Sequence, residues 1–275
     1  MSLKGVAQET IRICDNGYFI NSNNEKISIS ESMKYCIDNT YLYTPEKLTK
    51  ILEEKNEQEV NSCQIEVTSE TTQFAAHRIV VEEGVEDPLL LNFASAKNPG
   101  GGFINGAKAQ EEDLSRCSGL YPSLMTKEVY YTTNRANSCM LYLDYMIYSP
   151  RVPWFRTRSR NMLDYSFEAS VLTAPAPNAG VYLQRDGKKR KLEECLRRRC
   201  GMVLAAAEEK GHRYLVLGAW GCGVFRNDPD MVADAFGKWL ESDRFKGCFD
   251  RVIFAIYTGS KNRSTLTSFE NRFSI

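Results

Sequence analysis

Tyr214-Leu215-Val216-Leu217-Gly218-Ala219-Trp220-Gly221-Cys222-Gly223-Val224-Phe225-Arg226-Asn227-Asp228-Pro229 is the stretch that decides the fold class. Its first four residues are apolar or aromatic and too few for a helix, so they read as a short buried strand running into a glycine-rich loop. Asp228 then Pro229 is a helix cap with proline in the first turn. Behind it Val232, Ala235, Phe236, Trp239 and Leu240 recur at helical spacing. Arg251 to Tyr257 returns as a second apolar strand. Strand, loop, helix and strand form a βαβ crossover, which makes the two strands parallel neighbours.

The same alternation extends toward the N-terminus. Strands are expected at Gln64–Thr68, Pro88–Phe93, 144–149 and 167–173, and helices at Thr71–Ile79, about Gln110–Leu120 and Lys191–Lys210. The last of these carries Leu192, Cys195, Leu196, Val203 and Ala206 on one side. Trp154 and Phe155, between Pro153 and Arg156, read as a turn or a sheet edge, a place for an aromatic pocket. Earlier still, Tyr18–Ile20 and Ile27–Ile29 flank the polar turn Asn21–Asn24 as a hairpin, and Thr44 caps a short helix over Pro45–Glu54. No linker or internal repeat divides the chain. The expected architecture is α/β, a three-layer α/β/α sandwich with a mixed central sheet, as one domain over residues 1–275. Residues 1–84 would be an N-terminal helical and hairpin extension, and 85–258 the core carrying the site.

Hydrophobic residues form 43% of the 275, enough for one sizeable core. The 35 Lys and Arg balance the 35 Asp and Glu, so no global field draws the chain to nucleic acid or an anionic membrane. A polyanion would have to be met by a local site. The nine cysteines show no CxxC pair or ligand spacing, which argues against a disulfide framework or structural zinc and for a reducing compartment. The N-terminus lacks an apolar signal core, and no apolar run approaches the ~18 residues of a membrane span. A soluble, cytoplasmic protein without membrane association or an obligate protein partner is expected.

Open α/β sheets place ligands at the carboxyl ends of their strands. Two glycine-rich loops occupy that position: Asn98-Pro99-Gly100-Gly101-Gly102-Phe103 after the strand ending at Phe93, and Gly218–Phe225 after Leu217. Glycine lets backbone N–H groups approach a phosphate, and a following helix N-terminus adds donors. Either loop alone is more often a tight turn. The second reads G-x-x-G-x-G rather than G-x-G-x-x-G, and neither ends in G-K-[ST], so a dinucleotide oxidoreductase or P-loop is disfavoured. Seven residues after the triple glycine stands Gln110-Glu111-Glu112 at a helix start. Acidic residues favour that position for dipole reasons alone. Neighbours on a helix differ by about 100°, so Glu111 and Glu112 are not the opposed carboxylates of an ordinary glycosidase.

Gly100-Gly101-Gly102, seven residues, then Gln110-Glu111-Glu112 resembles the signature of poly(ADP-ribose) glycohydrolases. The preceding Asn92-Phe93-Ala94-Ser95-Ala96-Lys97-Asn98-Pro99 and the loop Gly218–Phe225 are similar to the microbial branch. The likeness runs from about residue 85 to 258. It implies a macrodomain-like fold, no cofactor or metal, and hydrolysis of the ribose–ribose bond of poly(ADP-ribose), or of an ADP-ribosylated protein, with ADP-ribose as product. By the same resemblance Glu112 is the catalytic acid/base, Glu111 holds ribose hydroxyls, and Gln110 fixes their helix. Gly100–Gly102 pass near the distal ribose and phosphate, with Asn98 near the ribose. Gly218 opens the diphosphate loop, Gly221, Cys222, Gly223 and Val224 offer amides to it, and Phe225 packs against the ribose beside the scissile bond.

The chemistry suits these residues, since a carboxylic acid can protonate the leaving oxygen and then deprotonate the attacking water. Two alternatives remain beside it: a hydrolase of mono-ADP-ribosylated targets, and a non-catalytic ADP-ribose-binding module, which would have no need of both glutamates. Cys222 reads as a small spacer rather than a nucleophile, and His77 and His212 are too few for a histidine metal site or triad. The run Lys188–Lys191 with Arg197-Arg198-Arg199 reads as a solvated helix face, with contact to a polymer as the alternative.

Overall fold

The computed structural model describes residues 1–54, 62–158, 161–185, 187–258 and 263–274. In chain order the elements are α1 (Leu3–Asn16), β1 (Tyr18–Ile20), β2 (Lys26–Ser28), α2 (Ser30–Asn39), β3 (Tyr41–Tyr43), α3 (Pro45–Glu53), β4 (Gln64–Thr68) and α4 (Thr72–His77). There follow β5 (Leu89–Phe93), α5 (Gln110–Cys117), α6 (Leu120–Met125), α7 (Glu128–Ala136), β6 (Met146–Arg158) and β7 (Asn161–Ala174). The chain closes with α8 (Ala179–Gln184), α9 (Lys189–Glu209), β8 (Tyr214–Leu217), α10 (Pro229–Leu240), β9 (Arg251–Ala255) and α11 (Ser264–Phe273). These elements gather into two compact units, one of residues 1–42, 73–135 and 146–174, the other of 43–72, 136–145 and 175–275.

In the first unit β7 pairs antiparallel with β6 and parallel with β5, so its sheet is mixed. β5 is Leu89-Leu90-Leu91-Asn92-Phe93, buried through Asn92, as a strand covered on both faces should be. β6 and β7 run to 13 and 14 residues, far beyond the expected 144–149 and 167–173. Trp154 and Phe155 are therefore strand residues with no exposed surface, not a turn or an open aromatic pocket. Pro153 is accommodated among the register shifts that interrupt the β6–β7 ladder. α1, which sequence patterning missed, is capped by the Ser2 hydroxyl and stopped by Gly17 at φ 72°. Its Ile13 joins Phe19, Ile29, Met33 and Phe155 in one cluster, so the N-terminal segment shares the core of β6.

In the second unit β8 and β4 both lie parallel to β9, with Tyr214 opposite Arg251 and Gln64 opposite Arg251 on the two sides. The βαβ unit is thus present as expected. Asp228 caps α10 through the Asp230 N–H, and Val232, Ala235, Phe236 and Leu240 are its buried residues among those at helical spacing. Phe254 of β9 packs against Phe236, Phe269 and Phe273. α9 is buried continuously from Arg199 to Ala207, so it is a core helix at that end rather than an amphipathic one. At Gly201 a Cβ would meet the Trp239 ring at 2.6 Å, so the approach of α9 to that ring requires glycine. The fully buried Arg199 corrects the reading of its basic run as a solvated face, whereas Arg197 and Arg198 are exposed. No helix among the described residues is long and apolar enough to cross a membrane.

Candidate active site

The carboxyl end of β5 and the first turn of α5 are joined by one side chain. Gln110 donates through Nε2 to the Leu91 carbonyl at 2.8 Å and accepts at Oε1 from the Phe93 N–H at 2.8 Å. A carbonyl and an amide of the strand are thereby satisfied by an amide side chain, which anchors the helix start on the strand end. Glu111 and Glu112 follow in that first turn, both buried.

Glu111 turns toward the strand. Its Oε1 accepts from Asn92 Nδ2 at 3.3 Å and its Oε2 from the Ser95 N–H at 2.6 Å. Burial pushes its carboxyl up to about 8, the two donors opposing this and the charge of Glu112 adding to it. Glu112 turns toward the glycine turn, where Oε1 accepts from the Gly102 N–H at 2.8 Å. Its Oε2 is buried and has no hydrogen-bond partner among the described residues. Glu111 and Glu112 therefore bond in different directions, as the helical rotation requires, yet both reach one glycine. A Cβ on Gly101 would run into Glu112 Oε1 and stand 3.1 Å from Glu111 Oε2.

The turn is built for that approach. Gly100 and Gly101 adopt φ 64° and 61°, in the left-handed region that favours glycine. The Gly101 N–H donates to the Asn98 carbonyl at 3.0 Å, and the Phe103 N–H to the Gly100 carbonyl at 3.2 Å. Asn98 itself is exposed, its own N–H donating to Ser95 Oγ at 3.1 Å.

The second unit holds the other loop. From β8 it passes through Gly218, where the Trp220 N–H donates to the Gly218 carbonyl at 2.8 Å and the Trp220 ring is fully buried. Gly221 has φ 73°, and a Cβ there would strike Asn227 Nδ2 and Ala176. Asn227 fastens the loop by donating through Nδ2 to the Pro177 carbonyl at 2.8 Å and the Gly221 carbonyl at 3.1 Å. Gly180 N–H donates to the Phe225 carbonyl at 2.9 Å, and Phe225 tilts against Tyr142 at 5.8 Å. Among the described residues the N–H groups of Gly221, Gly223, Val224 and Phe225 donate to no protein acceptor. Nothing lies within 4 Å of a Cβ built on Gly223, and Val224 is 81% exposed. Burial pushes the Cys222 thiol up to about 12.

Several residues that shape these loops have no role assignable from the sequence alone. Asn92 was visible as the one polar side chain in an apolar strand. Asn227 and Arg199 carried no local signal. Arg199 reaches the Pro175 carbonyl at 2.7 Å, the Tyr142 carbonyl at 3.3 Å and Asp144 at 2.7 Å, holding Tyr142 at its φ of 59°.

Comparison with known proteins places this geometry. The family described as microbial-type PARG, catalytic domain, matches residues 7–157. The crystal structure of poly(ADP-ribose) glycohydrolase from Thermomonospora curvata superposes with TM-score 0.94 at 40% identity, covering 98% of this chain and 99% of that one. The same enzyme bound to the inhibitor ADP-HPD gives 0.91 at 40% identity with the same coverage. The enzyme from Deinococcus radiodurans in complex with ADP-ribose gives 0.81 at 42% identity, over 88% of this chain and 96% of that one. No curated protein sequence matches. The mixed α/β architecture is thus the macrodomain-like one of these enzymes, and the chain belongs to the microbial-type poly(ADP-ribose) glycohydrolase family, glycosidases acting on poly(ADP-ribose).

Proposed function

We propose that the chain hydrolyses the ribose–ribose O-glycosidic bond of poly(ADP-ribose) and releases ADP-ribose, with Glu112 as general acid and then general base. The observation that carries this is the Glu112 carboxyl group, one oxygen held by the Gly102 N–H and the other buried and unpartnered. A carboxyl group fixed at one oxygen has the other free to exchange a proton with a ligand. In its acid form Glu112 gives the proton of Oε2 to the bridging oxygen as the C–O bond at the anomeric carbon breaks. Water then attacks the oxocarbenium-like centre and returns a proton to the Glu112 carboxylate.

Glu111 holds the ribose hydroxyls of the terminal unit from its place beside Asn92 and Ser95, and Gln110 keeps both glutamates at the strand end. Gly100, Gly101 and Gly102 pass close to that ribose, with Asn98 at the rim. In the second unit the Gly221, Gly223 and Val224 amides are suited to diphosphate oxygens, as oriented N–H groups without a Cβ in the way. Cys222 serves as a small spacer within the loop that Gly218 opens, and Phe225 offers a ring to a sugar. The whole chain acts as one catalytic domain.

The test is release of free ADP-ribose from poly(ADP-ribose) by the purified chain, with Glu112→Ala alongside. Release by the native chain alone supports the assignment. Equal release by both removes Glu112 from the chemistry, and ADP-ribose binding without release by either makes the chain a reader.

A further inference from the structure

Two buried arginines have no part in the mechanism above. Arg116 stands four residues beyond Glu112 on α5, and its Nη1 donates to the Ala107 carbonyl at 2.9 Å. Arg156, on β6, is 1% exposed. Its Nη1 donates both to the Arg116 carbonyl at 2.7 Å and to the Thr10 hydroxyl at 2.8 Å, while Nη2 donates to the Glu9 carboxylate at 2.6 Å. Thr10 Oγ1 in turn donates to the same Arg116 carbonyl at 2.9 Å. A carbonyl in the last turn of an eight-residue helix has no intrahelical donor. Here that carbonyl is closed by two donors from outside the helix.

The other end of the network reaches the glutamate. The Ala107 N–H donates to the Gly102 carbonyl at 3.1 Å, and the Gly102 N–H donates to Glu112 Oε1 at 2.8 Å. Glu9, Arg156, Arg116, Ala107, Gly102 and Glu112 are therefore linked in one unbroken series. α1 also lies against the segment just after the turn: a Cβ on Gly106 would be 3.3 Å from the Lys4 backbone nitrogen. Buried guanidinium groups tolerate few arrangements, because a lost partner leaves a desolvated donor at a cost of about 1–3 kcal/mol or more. The network therefore constrains the turn whose Gly102 N–H holds Glu112.

We propose that Glu9, Thr10, Arg116 and Arg156 are positioning residues through which α1 sets the Glu112 carboxyl group relative to the bond it cleaves. The proposal rests on the reading of Glu112 as the acid/base. Thr10 is the junction, since its one oxygen both donates and accepts, and a valine there keeps shape while removing both bonds.

The experiment measures kcat and KM on poly(ADP-ribose) for the full chain and for Thr10→Val, Thr10→Ser and Glu112→Gln. A displacement of the acid by a fraction of an ångström should lower kcat of Thr10→Val about tenfold, with KM within about twofold and Thr10→Ser restored to within about twofold of the native chain. A normal kcat in Thr10→Val, an equal loss in Thr10→Ser, or a loss confined to KM overturns the proposal. If Glu112→Gln is inactive while Thr10→Val is normal, the relay alone fails. If Glu112→Gln is fully active, the reading of Glu112 fails with it. Should Thr10→Val not fold, Glu9→Gln at the solvent end takes its place: a kcat at least about threefold lower at unchanged KM supports the relay, and an unchanged kcat overturns it.

Discussion

Gly101 and Glu112 share a space that admits no further atom: a Cβ on the glycine would run into the Oε1 of the glutamate. The same residue sits at φ 61°, so both backbone and contact demand glycine. The triple glycine of the signature is, at this position, a steric condition on where the carboxyl group can lie.

Gly101→Ala must therefore displace Glu112, and we expect kcat on poly(ADP-ribose) to fall about 10²-fold or more, the scale of a 1 Å misplacement. Gly211→Ala is the matched control. It lies at φ 78° with nothing within 4 Å, so it should lose about 1 kcal/mol of stability and no activity. Equal activity in the two variants would contradict the steric account.

The fully buried Glu111 makes stability depend on pH. Its carboxyl lies at about 8 in the folded chain, against an ordinary 4.5. Below 4.5 both states are protonated and the contribution is fully present. Between 4.5 and 8 the unfolded chain releases the proton and the folded chain keeps it, so stability falls as pH rises and levels off above 8. Relative to Glu111→Gln, the native chain should lose up to about 1.4 kcal/mol per pH unit across that window in denaturant titrations. A difference that stays flat with pH would mean that Glu111 ionises normally.

Gln110→Ala strips partners from the Leu91 carbonyl and the Phe93 N–H together. Two buried groups left unsatisfied should cost about 2–4 kcal/mol, read as a lowered denaturation midpoint with unchanged slope. A loss below about 1 kcal/mol would show that water or a neighbour replaces the amide.

In the second loop Asn227→Ala removes the bonds to Pro177 and Gly221, and ADP-ribose binding measured by calorimetry should weaken about tenfold, as two lost hydrogen bonds imply. Cys222→Ser should leave turnover within about twofold, because the thiol is too weakly acidic to act as a nucleophile. Strong inactivation of the serine variant would return Cys222 to the chemistry.

What could be read from the residues follows from how local each cause is. The βαβ unit was legible because Asp228-Pro229 and the apolar spacing of α10 are both written within a dozen neighbours. The turn and the glutamates were legible through glycine and acid at fixed spacing. α1 was not, because its buried face is only Val6, Ala7, Thr10 and Ile13, a thin stripe in a polar helix. β6 and β7 read short because Pro153, Arg156 and Glu168 resemble turn or surface residues until partners supply Glu9, the Arg116 carbonyl and Arg151. Arg199 looked like one more surface cation, since the carbonyls that bury it come from residues 24 and 57 positions away.

The most direct measurement is turnover of poly(ADP-ribose) by Glu112→Gln beside its affinity for ADP-ribose. The substitution preserves shape and removes the proton carrier. The account predicts a kcat lower by about 10²–10⁴, the contribution of a general acid, with ADP-ribose still bound within about threefold of the native chain. Full turnover by Glu112→Gln would contradict it.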